Sequence, residues 1–149
     1  KIKFSANQEE IPILACAGCI ALEEVIIPEG VKVIEADLFK YCTKLTNVTI
    51  PNGVKSIGDS AFGACLSLSS LTIPESVKSM GRDPFYCCSP DVYMRGSTPP
   101  DISRGCFRTG PRTFYVPIDA VDTYKNYYGW DDYSDRIIGY DFENDQIVE

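Results

Sequence analysis

Histidine is absent from the 149 residues of the chain. That absence removes Ser-His-Asp and Cys-His catalysis, histidine-ligated zinc and any histidine pH switch in one step. A surplus of basic charge is absent as well, with 14 Lys and Arg against 21 Asp and Glu and a net charge of −7. Binding along a phosphate backbone needs a basic face, so this balance argues against nucleic acid as a partner. Long apolar runs are missing too. The longest uncharged one, Ile11 to Leu22, falls well short of the ~20 residues that span a bilayer, so no transmembrane segment is expected. No glycine-rich phosphate loop occurs, and without histidine a nucleophile–base pair could come only from Lys or carboxylates. The sequence therefore assigns no catalytic residue, no cofactor and no metal ligand, and its length suits one domain.

What the chain does have is a repeat. Residues 22–44 (LEEVIIPEGVKVIEADLFKYCTK), 45–67 (LTNVTIPNGVKSIGDSAFGACLS) and 68–90 (LSSLTIPESVKSMGRDPFYCCSP) align without gaps at a step of 23 residues. Each neighbouring pair agrees at ten positions, including the Ile-Pro of Ile27, Ile50 and Ile73, the Phe of Phe39, Phe62 and Phe85, and the Cys of Cys42, Cys65 and Cys88. Degenerate copies extend both ways. Phe4, Ile11, Cys16 and Cys19 precede Ile27, Ile34, Phe39 and Cys42 by one step, while Val92-Tyr93-Met94 and Phe114-Tyr115-Val116-Pro117 restate the strand downstream. A repeat of this kind predicts a solenoid of about five coils.

Each slot has a physical reading. Leu-x-x-Val-x-Ile alternates apolar and polar residues, the mark of a half-buried strand. Proline ends that strand because it cannot donate to a ladder. Glu29-Gly30 and Asn52-Gly53 supply a turn. Val-Lys-x-Ile is a second short extended piece, and the following Asp-Ser-Ala-Phe-Gly-Ala-Cys is too short for a helix, so a single 3₁₀-like turn is expected. No coil buries its apolar face alone. Stacking at a strand spacing of about 4.8 Å turns the slots into continuous core ladders.

The motif L-x-x-V-T-I-P-x-G-V-x-x-I-G-x-x-A-F-x-x-C at Leu45–Cys65 resembles the BspA-like leucine-rich repeat of bacterial surface proteins. Ser97-Thr98-Pro99-Pro100, Phe114-Tyr115-Val116-Pro117, Ala120-Val121-Asp122-Thr123-Tyr124-Lys125 and Trp130 are similar to the closing cap of such proteins from gut and oral anaerobes. The resemblance covers nearly the whole chain. It implies a secreted or cell-surface protein of the bacterial envelope that works by binding, with no catalytic residue to transfer. The chain starts at Lys1 without an initiator Met or a signal-peptide core, which reads as a processed or trimmed chain whose signal peptide has been removed. One departure is Cys16, which stands in the first coil's Phe slot and marks a cap or a boundary there.

Seven cysteines would suggest disulfides in a secreted chain. The repeat explains six of them otherwise: Cys19, Cys42, Cys65 and Cys88 hold one slot, Cys16 the Phe slot and Cys106 the small slot beside Phe107. Stacked in parallel, their side chains point into the core rather than at each other, so buried free thiols are expected. Cys16-Ala17-Gly18-Cys19 has CxxC spacing but neither a βαβ context nor a second pair at metal spacing, and reads as core. Cys87 alone is off the pattern and is the candidate for reactivity or intermolecular pairing.

Charge divides the chain. Residues 1–116 hold twelve basic and twelve acidic residues, whereas 117–149 hold two and nine. An EF-hand pattern is absent, so Asp131, Asp132, Asp135 and the other acids read as a solvated acidic cap. Within it Asp119–Tyr128 reads as a short helix with Val121, Tyr124 and Tyr128 on one face, stopped by Gly129. Trp130, Tyr133, Ile137 and Ile138 are then free to cover the last open coil, so the division is a repeat solenoid over 1–116 and a cap over 117–149. Lys32, Lys55 and Lys78 share a slot and read as a solvated rim.

The candidate partner-binding face is the set of strand positions that point out of the core: Glu24, Ile26, Asn47, Thr49, Ser70, Thr72, Tyr93 and Tyr115. One edge is aromatic and the middle small and hydroxylic, which suits a polypeptide or a sugar because Tyr joins apolar area to a polar tip. The expected function is a non-catalytic extracellular module binding a protein partner, with a glycan-binding domain or a structural spacer as alternatives.

Overall fold

A computed structural model describes every residue except Lys1, Lys3, Ala6, Asn7, Ile13 and Glu149. The first three full repeats each contribute two short strands: Glu24–Ile26 (β1) and Val33–Ile34 (β2), Asn47–Thr49 (β3) and Ser56–Ile57 (β4), Ser70–Ile73 (β5) and Ser79–Met80 (β6). Asp91–Met94 (β7) and Thr113–Pro117 (β8) take up the first of these positions again. The repeats stack in parallel at the sequence step. Val25 lies opposite Val48, Ile34 opposite Ile57 and Ile57 opposite Met80, while Leu71, Val92 and Phe114 follow one another in register. β3 and β5 are neighbours but belong to separate hydrogen-bonded sheets.

A third run of backbone bonds passes through the segment around each Phe. Asp37, Phe39 and Tyr41 donate their N–H groups to the carbonyls of Asp59, Ala61 and Gly63, and Ser60, Phe62 and Ala64 donate to Arg82, Pro84 and Tyr86, at 2.6–3.0 Å. The expected 3₁₀-like turn is instead a chain of tight turns hinged on left-handed residues. Asp37, Ser60 and Asp83 carry φ of 56, 50 and 46°, and Tyr41, Ala64 and Cys87 carry 63, 56 and 58°. A side-chain-bearing residue in that region costs roughly 1–2 kcal/mol. The conformation recurs because it aims alternate N–H groups along the stack, where burial would otherwise leave them unpaired. Gly58 marks a close approach between repeats, since a Cβ there would lie 2.5 Å from the Ala36 nitrogen, and Gly81 repeats it one step on, where a Cβ would lie 2.6 Å from the Asp59 nitrogen.

The inward slots make the core. Phe39, Phe62, Phe85 and Phe107 stack ring on ring at centroid distances of 5.5, 5.9 and 6.3 Å. Val25, Val31, Ile34, Leu45, Val54, Leu71 and Val92 line the strand sides of the same interior. Each side chain of this class buried contributes on the order of 1.5–3 kcal/mol.

Residues 117–149 differ from expectation in three respects. The helix is shorter than Asp119–Tyr128: a 3₁₀ turn, Ile118–Ala120, leads into Val121–Asn126 (α1), and the chain is extended at Tyr127. Tyr124 is buried, but Tyr128 is 65% exposed and lies under the Arg104 guanidinium instead of sharing the buried face. The segment is also not purely helical. Ile137–Asp141 (β9) pairs in parallel with β8, Phe114 opposite Ile137, so it lies one further 23-residue step along the same ladder. Gln146–Ile147 (β10) then turns back antiparallel on β9. Thirdly, Ile137 covers the core while Ile138 points out from β9 and is 36% exposed.

Trp130 and Tyr133 close the phenylalanine stack. Trp130 packs against Phe107, Phe114 and Tyr124 and donates its indole N–H to the Pro100 carbonyl at 2.8 Å. The Tyr133 hydroxyl accepts the Phe107 N–H at 2.9 Å, and Tyr124 donates to the Gly96 carbonyl at 2.8 Å. Gly129, at φ +85°, reverses the chain between Tyr128 and Trp130 where a Cβ would lie 2.9 Å from the Ile102 oxygen. Asp131 and Asp132 are not free solvated acids, because both pair with Arg104, at 2.9 and 2.6 Å, and tie the closing segment to the preceding repeat.

Candidate functional site

The strand positions expected to face outward do so. Along β1, β3 and β5 burial alternates residue by residue, which leaves Ile26, Asn47, Thr49, Ser70 and Thr72 exposed and Glu24 half-buried. On β7 and β8 Tyr93 and Tyr115 are half-buried for a local reason: each shields the other. Register sets these residues in two rows across the repeats. One runs Glu24, Asn47, then Ser70, Asp91, Thr113; the other runs Ile26, Thr49, then Thr72, Tyr93, Tyr115 and Ile138.

The aromatic end of the face is larger than the sequence suggested. Tyr93 and Tyr115 stack with centroids 4.7 Å apart, Tyr140 on β9 meets both edge-on at 5.2 and 5.5 Å, and Phe142 packs on Tyr140 at 4.9 Å. Arg95 lies over the Phe142 ring at 4.4 Å. Tyr140 donates its hydroxyl to Asp145 at 2.6 Å, and that bond pushes its pKa up to about 12. Burial, followed by Tyr115, Asp91 and Asp145, raises the Tyr93 hydroxyl as well. Both phenols are therefore neutral and able to donate hydrogen bonds at neutral pH. Tyr140, Phe142, Arg95 and Asp91 were not singled out from the sequence, and Ile138 was expected on the last open coil rather than on this face. The 23-residue step from Phe114 to Ile137 was the available signal for Tyr140, Phe142 and the outward side of Ile138.

Other candidate chemistry resolves into structure. All seven cysteines are free thiols; Cys16, Cys42, Cys65, Cys88 and Cys106 are buried, Cys19 is half-buried and Cys87 exposed. The buried ones do more than fill space. Cys42, Cys65 and Cys88 donate to the carbonyls of Cys16, Phe39 and Phe62, each 26 residues back, at 3.1–3.3 Å. Burial pushes the Cys42 thiol up to about 11 and the Cys88 and Cys106 thiols up to about 12. Iodoacetamide applied to the folded protein at neutral pH should label Cys87, and Cys19 more slowly, while the five buried thiols react only after denaturant is added. Rapid native labelling of Cys42 or Cys65 would contradict this burial.

Lys32, Lys55 and Lys78 are exposed on successive repeats, and the backbone bonds Lys55 N–H to Lys32 O and Lys78 N–H to Lys55 O hold them in register. Asp101 follows them, its N–H on the Lys78 carbonyl, so the basic rim ends on an acid. Among the described residues no group of three or more Cys, Asp or Glu is placed to hold a metal ion, and no helix is long and apolar enough to cross a membrane.

Parallel repeats at steps of 21 to 23 residues, an inward Leu-Val-Ile-Phe ladder and an outward strand face define a repeat protein of the leucine-rich class. The chain belongs to the BspA type leucine rich repeat family, whose model matches in six copies over residues 1–111. Among curated proteins, none matches the chain. Membership makes it a repeat module of the protein-interaction kind, from a family that is generally surface-located or secreted in bacteria and typically non-catalytic.

Proposed function

We propose that the chain is a non-catalytic, extracellular or cell-surface interaction module in which a leucine-rich-repeat solenoid, residues 1–116 closed by a cap over 117–149, binds a protein partner through its strand face. Glu24, Ile26, Asn47, Thr49, Ser70, Thr72, Tyr93 and Tyr115 form that face, and adhesion to a host surface is the role it suits. The observation that carries the reading is the register itself, which sets outward side chains of paired strands side by side, Ile26 with Thr49 and Thr72 with Tyr93, and ends the second row against the stacked Tyr115. Rigid Tyr rings beside short polar side chains give contact area at low conformational cost.

A protein partner is favoured over a glycan by how the rings are used. Sugar rings stack on aromatic faces, but Tyr93 and Tyr115 cover one another and Tyr140 closes on both. The cluster thus offers edges, hydroxyls and a single ring face, that of Tyr93 toward Thr72. That one face beside a hydroxyl-rich floor is what favours the second reading, a glycan-binding domain. Side-by-side titration of the chain against extracellular-matrix proteins and a glycan panel separates the two. Saturable binding to a protein with no response to sugars is the expected result; binding confined to sugars would overturn the protein reading.

A further inference from the structure

We infer that the strand face carries a subsite for a basic side chain, formed by Asp91 and the open face of Tyr93, and that the partner presents a lysine- or arginine-bearing segment there. The inference rests on the strand-face reading and adds the chemistry of what the face receives. Among the described residues the Asp91 Oδ1 is the only buried side-chain nitrogen or oxygen without a hydrogen-bond partner. That oxygen is shut away from water without a donor, which is costly, while Asp91 as a whole is only half-buried, so a cation approaching the carboxylate group from the strand face offsets part of that cost. No ion pair supplies one from the described residues: Arg95 lies over Phe142, Arg104 holds Asp131 and Asp132, and Arg108 holds Asp83.

The surroundings fit a cationic side chain rather than a neutral one. Asp91 is flanked in register by Ser70 on one side and Thr113 on the other, small residues that leave lateral room. Two residues on, Tyr93 points out of the same strand face; Tyr115 covers one side of its ring and only Thr72 stands in register on the other. A lysine or arginine stem laid over Ser70 and Thr72 would bring its charge to the carboxylate and along the ring face, the geometry of a cation–π contact. The β9–β10 hairpin beside this face adds Asp141, Glu143 and Asp145, so the local field draws a basic segment in.

Fluorescence anisotropy of a labelled oligolysine peptide with the intact chain tests the subsite, using the lysine-acetylated peptide as control. The parent should bind the oligolysine and not the acetylated form. Asp91→Asn should weaken binding about tenfold while keeping the parent's melting temperature or raising it, because the orphaned charge is removed. Glu143→Gln, which alters only the general field, should change affinity less than about twofold. Equal binding by the parent and Asp91→Asn, or binding of the acetylated peptide as tight as that of oligolysine, overturns the proposal. With a protein ligand in hand the two readings separate. Loss of binding in Thr72→Arg but not in Asp91→Asn keeps the face and removes the subsite. Retention of binding in Thr72→Arg removes both.

Discussion

Trp130→Ala should lower the unfolding free energy by about 3–5 kcal/mol, and removal of residues 117–149 should leave a chain that aggregates. Trp130 is fully buried and touches Phe107, Phe114 and Tyr124, so truncation empties the junction where the phenylalanine stack ends. It also strips the Pro100 carbonyl of its indole donor, and an unpaired buried carbonyl adds about 1–3 kcal/mol to the cavity term. Deleting the whole segment removes β9 as well, exposing the edge of β8 together with Phe107 and Phe114. An open parallel edge next to an apolar stack invites strand addition by another copy. Urea denaturation of Trp130→Ala and light scattering of the truncated chain check the pair. A loss under about 1 kcal/mol, or a truncated chain that stays monomeric and melts cooperatively, would show that the stack closes without the cap.

Phe62→Ala should cost a similar ~3–5 kcal/mol, in contrast to Tyr41→Ala on the exposed turn, which should stay within about 0.5 kcal/mol. Phe62 is fully buried, with Phe39 stacked at 5.5 Å on one side and Phe85 at 5.9 Å on the other. Removing the middle ring of a ladder leaves a cavity bounded by two rings that are themselves tied to separate repeats, so collapse is limited. Phe62 and Phe85 touch, and a double-mutant cycle should therefore show coupling of about 0.5 kcal/mol or more. Denaturation midpoints of the single and double variants give both values. A Phe62→Ala chain no less stable than Tyr41→Ala would contradict the ladder as the core.

How much of this was legible in the sequence depends on whether the determining contact lies within the repeat. The strands, their parallel step and the inward Phe and Cys slots are written in a 23-residue period, because a stacked slot needs the same side chain each time it recurs. The left-handed residues escaped notice for the opposite reason. The first position holds Asp37, Ser60 and Asp83, the second Tyr41, Ala64 and Cys87, and neither holds a glycine, so the conformation repeats along the stack without a fixed residue type to announce it. The thiols were read as small hydrophobes; their donation to carbonyls 26 residues back depends on the stacked turn and cannot be seen in one repeat.

The closing segment was harder still. Its strand β9 keeps the step but carries Ile-Ile-Gly-Tyr where β8 carries Phe-Tyr-Val-Pro, so the period survives only in register and not in letters. The acids Asp131 and Asp132 read as solvated in the sequence because Arg104, the cation that binds them, stands 27 and 28 residues earlier. On the outward face the sequence placed each strand residue on the right side by alternation alone. It did not bring Tyr140 and Phe142 onto the tyrosines, since that depends on β9 joining the sheet.

The most direct test of the strand face as the working surface is to compare the parent with a variant carrying Asn47→Arg, Thr72→Arg and Tyr115→Ala, against one protein ligand by surface plasmon resonance. Asn47 and Thr72 are exposed and Tyr115 is half-buried against Tyr93 and Tyr140, so the variant should retain the parent's circular dichroism and melt cooperatively at a modestly lower temperature. The account predicts that the folded variant loses binding by a hundredfold or more, since two new cations and a removed ring fall at the centre of the contact. Equal affinity of parent and variant would contradict it and move the site off the strand face.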